Sequence, residues 1–469
     1  VKFLDAVYEN AFQLYWTQTL GKAWSPEVAA NYARAMDLPA DPSQDNLAQS
    51  ARRAFLNAPI SCGIDILFGG GVYEFESQAL KGQFHPSRIQ HTHPEWFTEA
   101  SFPSKWAGST LRDPEGLWYG TAFSGFGMVY NRDVLEALNY PGLPQDWDDL
   151  GDSRFFGEIA LSDPTKSGAT KQGFALVIQE EMLRALKELS NQNVPVATAE
   201  PEAIRRGWTR GLCVLQRMAA NARYFTEKSI KPILDVSSGN CALGMATDFA
   251  GLSQEQNLME RSSSTRFGYI SPKVGSTVLP DPIGIMKGTT HPTVAEAFME
   301  YVIGLEGQKL WAFKAGTPGG PTQYTLRRLP IRRELYDNAE FQAYRSDPEL
   351  NPYIPIPEFA YRPEWTAPII GVLQIVIRTA FMDPHHELQD AWEAIIRARS
   401  EGRQDDAKKA LAVLEDFSGL DYDAVSMDFA TTYRNGTPLD RILLESKLTN
   451  RFIEQYRLAR QIAQGEASN

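Results

Sequence analysis

The chain has 469 residues, 43% hydrophobic and 22% charged, an ordinary globular composition too long for one core, so two or more domains are expected. Its formal net charge of −12 argues against nucleic acid as a partner, because phosphate binding needs a basic footprint, and disfavours plain attraction to anionic lipid. A small anionic ligand remains compatible, since local dipoles rather than net charge decide inside a cleft.

The N-terminal residues 1–20 (VKFLDAVYENAFQLYW and the next few) have amphipathic helical spacing. The chain is read as starting at a mature or trimmed N-terminus, with a targeting segment already removed. Residues 21–60 are polar and mixed, with Ala/Arg-rich helical stretches. "GIDILFGGGVYEFESQAL" reads as strand, glycine turn and helix: Ile64, Ile66 and Leu67 form the strand, and Gly69, Gly70 and Gly71 the turn. Residues 85–113 are an irregular connection, and "LWYGTAFSGFGMVYNRDVL" is β-rich, then a helix capped by Asn131 or Asp133. Residues 158–162 form a short buried strand that opens, through "DPTKSGAT", into a long helix with apolar Phe174, Val177, Ile178, Met182, Ala185 and Leu189. More helix follows over 193–223, then a strand in "CALGMATDFAG". Further strands lead to a helix with Pro292 at its first position. From 365 the chain is almost all helix, with Ile370, Leu373, Ile377 and Phe381 as one stripe. "APIIGVLQIVIRTAFM" is too short and carries Gln374 and Arg378, so it is read as a buried helix rather than a membrane span. Alternating strands and helices up to about residue 300 imply an α/β fold with largely parallel sheets.

Three cysteines, Cys62, Cys213 and Cys241, make no disulfide framework. They are read as small buried hydrophobes, with one bridge left open. His91 with His93, and His385 with His386, lack helical i,i+4 spacing or a cysteine partner, so they are read as exposed loop residues and no metal is expected. Asp148–Asp149 and Glu180–Glu181 are sequence neighbours that do not face each other on a helix, so neither is an acid/base pair. No GxSxG, HExxH or Walker motif occurs, no cofactor fingerprint is present, and no enzyme is expected.

Ligands in open α/β sheets sit at the carboxyl ends of strands near helix starts. Four such ends are polar: 69–73, 121–125, 165–170 and 247–251. In the third, Ser167 can cap the helix, Gly168 and Ala169 expose N–H groups, and Thr170 adds a hydroxyl. That arrangement suits a phosphate or carboxylate, although a plain helix cap explains it too. The triple glycine is a tight turn or a close approach of backbone to a ligand.

The order of "GIDILFGGG", "YGTAFSGFGMVYNRDVL", "DWDDLGDSRFFGEIALSDPTKSGAT", "GNCALGMATDFA" and "LPDPIGIMKGTTHPTVAEAFMEYVIGLEGQKLW" resembles the extracellular solute-binding proteins of ABC importers. The branch is that of ferric-ion-binding and phosphate-ester-binding proteins with the type II periplasmic-binding fold. The resemblance covers roughly residues 60–325. It implies two α/β lobes joined by crossover strands near Trp118–Ser124 and Leu279–Ile285, with an extended helical C-terminus. Lobe one would be 1–122 and 281–469, including the C-terminal helices; lobe two would be 123–280. The ligand would be held between lobes that close on a hinge.

In the ferric branch a Ser-Gly-Ala helix start holds a phosphate beside iron, matching Ser167, Gly168 and Ala169, and an asparagine of that site falls near Asn221. Where adjacent tyrosines ligate iron, this chain has Phe249 and Ala250, which speaks against a tyrosinate site; Asp248 offers an acceptor instead. The expected ligand set is Gly70, Gly71, Ser124, Ser167, Gly168, Ala169, Thr170, Asn221 and Asp248. Its target is a small anionic solute: a phosphate ester, phosphonate or organic acid. The expected partner is an ABC permease, the expected place periplasmic or extracellular with a lipid anchor left open, and the expected state a monomer. Competing readings are a ferric carrier with a non-tyrosine site, an enzyme on the same fold, or a sensor or assembly protein. The last would dock another subunit through a helical face of Leu443, Phe452, Tyr456 and Leu458.

Overall fold

The computed structural model describes residues 2–38, 41, 43–272, 274–354, 359 and 361–466. The chain divides into two units: Val1–Ser124 with Leu279–Pro355, and Gly125–Val278 with Ile356–Asn469. Its strands are β1 (Ile66–Phe68), β2 (Phe84–His85), β3 (Lys105–Trp106), β4 (Ser109–Thr110), β5 (Tyr119–Ser124), β6 (Phe126–Asn131), β7 (Ile159–Ser162), β8 (Ala222–Thr226), β9 (Leu243–Thr247), β10 (Phe267–Ile270), β11 (Leu279–Met286) and β12 (Leu329–Pro330).

In the first unit the sheet order is β1-β11-β5-β12, with β2 also on β11. Every pairing in it is antiparallel. The expectation of largely parallel sheets fails here because β11 arrives late in the chain, inserts between β1 and β5, and runs against both. β11 also carries Pro280 and Pro282, which lack the N–H that a central strand donates. A register shift between Asp281 and Pro282 accommodates them. Beside the sheet, Leu4, Tyr8, Phe12 and Trp16 line up at four-residue spacing and bury against Tyr32, Phe55, Phe75 and Trp118. Phe12 stacks on Tyr32 at 5.0 Å, and the Tyr8 hydroxyl donates to Lys287 O at 2.7 Å.

The second unit has a sheet of order β10-β6-β9-β7-β8, in which β7 runs parallel to both β8 and β9 while β6 runs antiparallel to β9 and β10. The side chain of Asn131 caps the helix after β6, accepting from Asp133 N and Val134 N. Two long helices, Gly168–Asn191 and Val196–Asn221, pack as a hairpin. Gly207 and Gly211 let them touch: a β-carbon at Gly207 would lie 2.2 Å from Met182 Cα, and one at Gly211 2.8 Å from Ile178 Cα.

The C-terminal helices complete this second unit rather than the first, which corrects the lobe assignment drawn from the sequence. Gln179 Nε2 donates to Arg362 O and Thr366 Oγ1. The Trp208 indole donates to Leu420 O at 2.7 Å. Gln216 Nε2 donates to Leu414 O and to the Tyr456 hydroxyl, which itself donates to Ala380 O. The hairpin leaves Trp208, Leu212 and Leu215 needing cover, and these helices supply it. Pro363–Met382 is long and apolar enough to cross a membrane by composition, yet 67% of its apolar 18-residue window is buried. Its stripe of Ile370, Leu373, Ile377 and Phe381 is buried as expected. Leu443, Phe452, Tyr456 and Leu458 do not form one docking face: Phe452 and Tyr456 are buried, Leu443 and Leu458 exposed.

All three cysteines are free, Cys62 and Cys241 buried and Cys213 half-buried. Burial pushes the Cys213 thiol up to about 12 and the Cys241 thiol up to about 11. His385 departs from the exposed-loop reading: its Nε2 donates to Ala219 O at 2.9 Å, and burial lowers its pKa. His93 stacks on Trp96 at 3.9 Å and meets Glu300 at 2.9 Å.

Carboxylates that are mere neighbours in sequence converge on one guanidinium. Arg184 pairs with Asp148, Glu180 and Glu181. Glu180 is almost wholly buried and sits against Gly275, where a β-carbon would lie 2.1 Å from its Oε2. Trp147 ties the same stretch by donating to Gly275 O at 2.9 Å. Burial, with Asp146, Asp148 and Glu181 nearby, outweighs Arg184 and raises the Glu180 carboxyl from 4.5 to about 8.

Two outcomes are expected from these contacts. Gly207→Ala, which on helix propensity alone would gain up to about 1 kcal/mol, should instead cost about 1–3 kcal/mol by overpacking, read from urea midpoints. Glu180 binds its proton more tightly folded than unfolded, so its contribution is full below 4.5 and is lost as pH rises to about 8. Glu180→Gln should flatten the fall in unfolding free energy between those limits, and an unchanged slope would contradict the assignment.

Candidate functional site

In the second unit, the carboxyl ends of β7 and β9 lie at one edge, because the two strands are parallel neighbours. After β7 the chain makes a turn tied by Asp163, whose Oδ1 accepts Thr165 N at 2.7 Å and whose O accepts Lys166 N and Ser167 N. Ser167 then caps the long helix, its Oγ accepting Thr170 N at 3.2 Å. Gly168 is exposed, with open space where a β-carbon would stand. Thr170 is buried and shares a 2.6 Å hydroxyl–hydroxyl bond with Ser162, so its side chain is turned to the strand. The structure thus places Ser167, Gly168 and Ala169 together at a helix start. The first N–H groups of a helix have no partner within it, and the dipole there favours an anion.

Asp248 opens the helix after β9 and is buried. Its N–H donates to Gly125 O at 3.0 Å, and its Oδ1 accepts Phe249 N at 2.8 Å. Tyr269 stands nearby, and burial together with the Asp248 charge holds its phenol well above the ordinary range. Tyr269 was not among the expected site residues; its signal, an aromatic at the end of a strand, is too common to single out.

Asn221 must be withdrawn from the ligand set. It is fully buried, its Nδ2 donates to Leu150 O and Asp152 O, and its Oδ1 accepts the Trp392 indole N–H at 2.8 Å. An amide so engaged is a structural link between the hairpin and the C-terminal helices.

In the first unit, Gly69 and Gly70 have φ of +84° and +110°, a backbone region that favours glycine, so the turn itself requires them. Gly70 lines a pocket of about 360 Å³ with Phe68, Gly69, Thr121, Asp281, Trp311 and Arg328. Gly71 starts the helix Val72–Lys81, and the Glu74 carboxylate lies 2.7 Å from where its β-carbon would be. Ser124 ends β5, buried and paired with Leu279, and is not among the residues lining this pocket. Asp281 and Arg328 form an ion pair across the wall, and burial holds the Asp281 carboxyl above its ordinary range against the pull of Arg328. Neither charged residue was expected from the sequence. The one available signal was a carboxylate flanked by prolines in an otherwise apolar strand, LPDPIGIM. Among the described residues, no group of three or more His, Cys, Asp or Glu side chains is placed to hold a metal ion.

Among known proteins, the phosphoglycerate transport regulatory protein PgtC of Salmonella typhimurium is 25% identical over 282 residues, covering 60% of this chain and 57% of that protein. An uncharacterized protein of Haemophilus influenzae is 26% identical over 255 residues, covering 54% of this chain and 61% of that one. The chain therefore spans less than two thirds of the length of either relative. Among solved structures, iron-bound HitA from Pseudomonas aeruginosa aligns with a TM-score of 0.44 at 16% identity, covering 79% of this chain and 94% of HitA. AfuA from Actinobacillus pleuropneumoniae, solved with fructose-6-phosphate, aligns with a TM-score of 0.39 at 16% identity, covering 66% and 78%. A family model described as bacterial extracellular solute-binding protein matches residues 74–334, more than half of the 469. On that match, the chain belongs to the family of bacterial extracellular solute-binding proteins, whose business is binding rather than catalysis.

Proposed function

We propose that the chain captures a small anionic solute, a phosphate ester, phosphonate or organic acid, and hands it to an ABC permease after closure of its two units. Membership of an extracellular solute-binding family supports capture outside the cytoplasm. The observation that carries the anionic reading is the start of the helix Gly168–Asn191. There Ser167 caps, Gly168 is exposed, and nothing lies within 4 Å of where a Gly168 β-carbon would stand. The Salmonella relative is named for phosphoglycerate, a phosphorylated organic acid of this class.

A second reading has its own support. The helices from Pro363 onward lie beyond the family match, which ends at 334, and the same relative is named as a regulatory protein. On that reading the loaded chain reports to a partner instead of feeding a permease. Co-purification with membrane proteins in the presence of solute separates the two.

Gly168→Pro is the decisive variant. Proline is favoured at the first helical position, and Ser167, with φ −128° and ψ 115°, already has the conformation that precedes proline. The change deletes one N–H donor and little else. A charge-assisted bond of about 1.5–3 kcal/mol should be lost, so calorimetric affinity for phosphoglycerate or inorganic phosphate should fall about ten- to a hundredfold, with the melting temperature unchanged. Equal affinity in both proteins would leave the stretch as a capped helix only. Thr170→Val is less clean, because it strands the buried Ser162 hydroxyl. A visible phenolate-to-iron absorption band in iron-loaded protein would instead favour a ferric carrier, against Phe249 and Ala250.

A further inference from the structure

The last helix, Pro438–Gln464, changes character along its length. From Leu448 onward it packs on the unit, with Leu448, Phe452, Tyr456, Ala459 and Ala463 buried at helical spacing. Its first turns do not. Leu439, Ile442 and Leu443 keep 62%, 58% and 59% of their surface exposed. Their spacing of three and four residues puts them on one face, which the exposed Ser446 continues. Leu439 precedes Leu448, and Leu443 precedes Phe452, by nine residues, about two and a half turns, so each exposed leucine lies opposite a buried residue. Exposed leucines scattered singly need no explanation, but three large aliphatic side chains on one face of one helix are a contiguous patch.

This end of the helix is held in shape. Thr437 and Asp440 form a capping box, Thr437 Oγ1 accepting Asp440 N at 3.2 Å and the Asp440 carboxylate accepting Thr437 N at 2.9 Å. On the side away from the patch, Glu445 pairs with Arg378, and the Arg441 guanidinium lies 5.5 Å from the Tyr433 ring. A preformed helix loses little conformational freedom when something packs on it.

The flanking charges choose the occupant. From Arg434 to Lys447 there are three basic residues and two acidic ones, so two copies meeting here do not set acid against acid, although the whole chain carries −12. Asp440 and Lys447 are both exposed and seven residues apart, which places them on the same flank of the apolar face. When two helices pack face to face in antiparallel fashion, each flank meets the same flank of its partner. An acid and a base on one flank are then self-complementary: Asp440 of each copy meets Lys447 of the other, twice about a two-fold axis. The axis passes beside Leu443, at the centre of the apolar seam.

We propose that Leu439, Ile442 and Leu443 form a self-association surface through which two copies of this chain pair, their last helices antiparallel and Asp440 of each against Lys447 of the other. The chain is then a dimer rather than the monomer expected from its sequence. An isologous contact of this kind closes at two copies. It is small, with three large apolar side chains from each copy, so the dimer dissociates on dilution. The surface lies beyond the family-matched stretch and includes no residue of the candidate site, so it stands or falls separately from the proposed function.

The test is sedimentation of the full chain between about 1 and 300 µM, for wild type, Leu443→Glu, Asp440→Lys and Lys447→Glu. Wild type should pass from monomer to dimer across that range. Leu443→Glu, a good helix former at an exposed position, should weaken association about tenfold or more and leave the melting temperature unchanged. Asp440→Lys and Lys447→Glu each set like charges across the seam and should each weaken it about three- to tenfold, whereas an equimolar mixture of the two restores both ion pairs and should dimerise as wild type does. Asp440→Lys also breaks the capping box and should lower the melting temperature, but a lost cap cannot produce rescue by mixing. Wild type that stays monomeric throughout overturns the proposal and leaves the face to a different protein. A dimer that survives Leu443→Glu overturns it by placing the contact elsewhere, and assemblies that grow beyond two copies contradict the closed pairing. A mixture that associates no better than either variant alone overturns the antiparallel arrangement.

Discussion

The antiparallel ladder of β5 and β11 is the constraint on which the rest of the architecture hangs. The chain leaves its first unit at Ser124 and returns at Leu279, and those two residues face each other as partners in the ladder. Everything between them must begin and end at neighbouring points. The returning strand then takes the central place in the first sheet, and with it come two prolines and the bulge that tolerates them. The Asp281 side chain, set at that bulge, is what gives the neighbouring pocket its charge. Topology and site chemistry are thus linked through one short irregular stretch of backbone.

What could be read in advance follows sequence distance. Ser167 as a cap, the cap at Asn131 or Asp133, which falls on Asn131, and the glycine turn, whose positive φ falls on Gly69 and Gly70, are decided by bonds or torsions within a few residues. The stripe of Ile370, Leu373, Ile377 and Phe381 is likewise a local periodicity. Asn221 was misread because its partners, Leu150, Asp152 and Trp392, lie far away along the chain, and no spacing rule announces them. The same holds for Asp281 with Arg328 and for Asp148 with Arg184, whereas Glu180 and Glu181 stand at helical spacing from that arginine. Strand direction failed for a related reason: alternating strands and helices suggest parallel sheets, but a late strand can enter the middle of a sheet from the opposite side. The helical C-terminus was visible as helix, while its allegiance depended on which surface lacked cover.

Two kinds of polar site have different physical origins here. The helix start after β7 is made of backbone, so on the proposed function its attraction for an anion would persist through most side-chain changes and would select for charge more than for shape. The pocket beside β1 is made of side chains on separate segments, so single substitutions would alter it.

The bonds that run from the Val196–Asn221 helix to the C-terminal helices also bear on what the family-matched stretch would be by itself. Trp208, Gln216 and Asn221 each place a buried polar group against a partner beyond residue 390. A chain cut back to the family-matched stretch would not be a smaller version of this receptor. It would carry an uncovered apolar face and several stranded donors, the properties of a polypeptide that clumps. The C-terminal helices and the surface they cover therefore stand or fall together, and transplanting either onto another chain would require moving both.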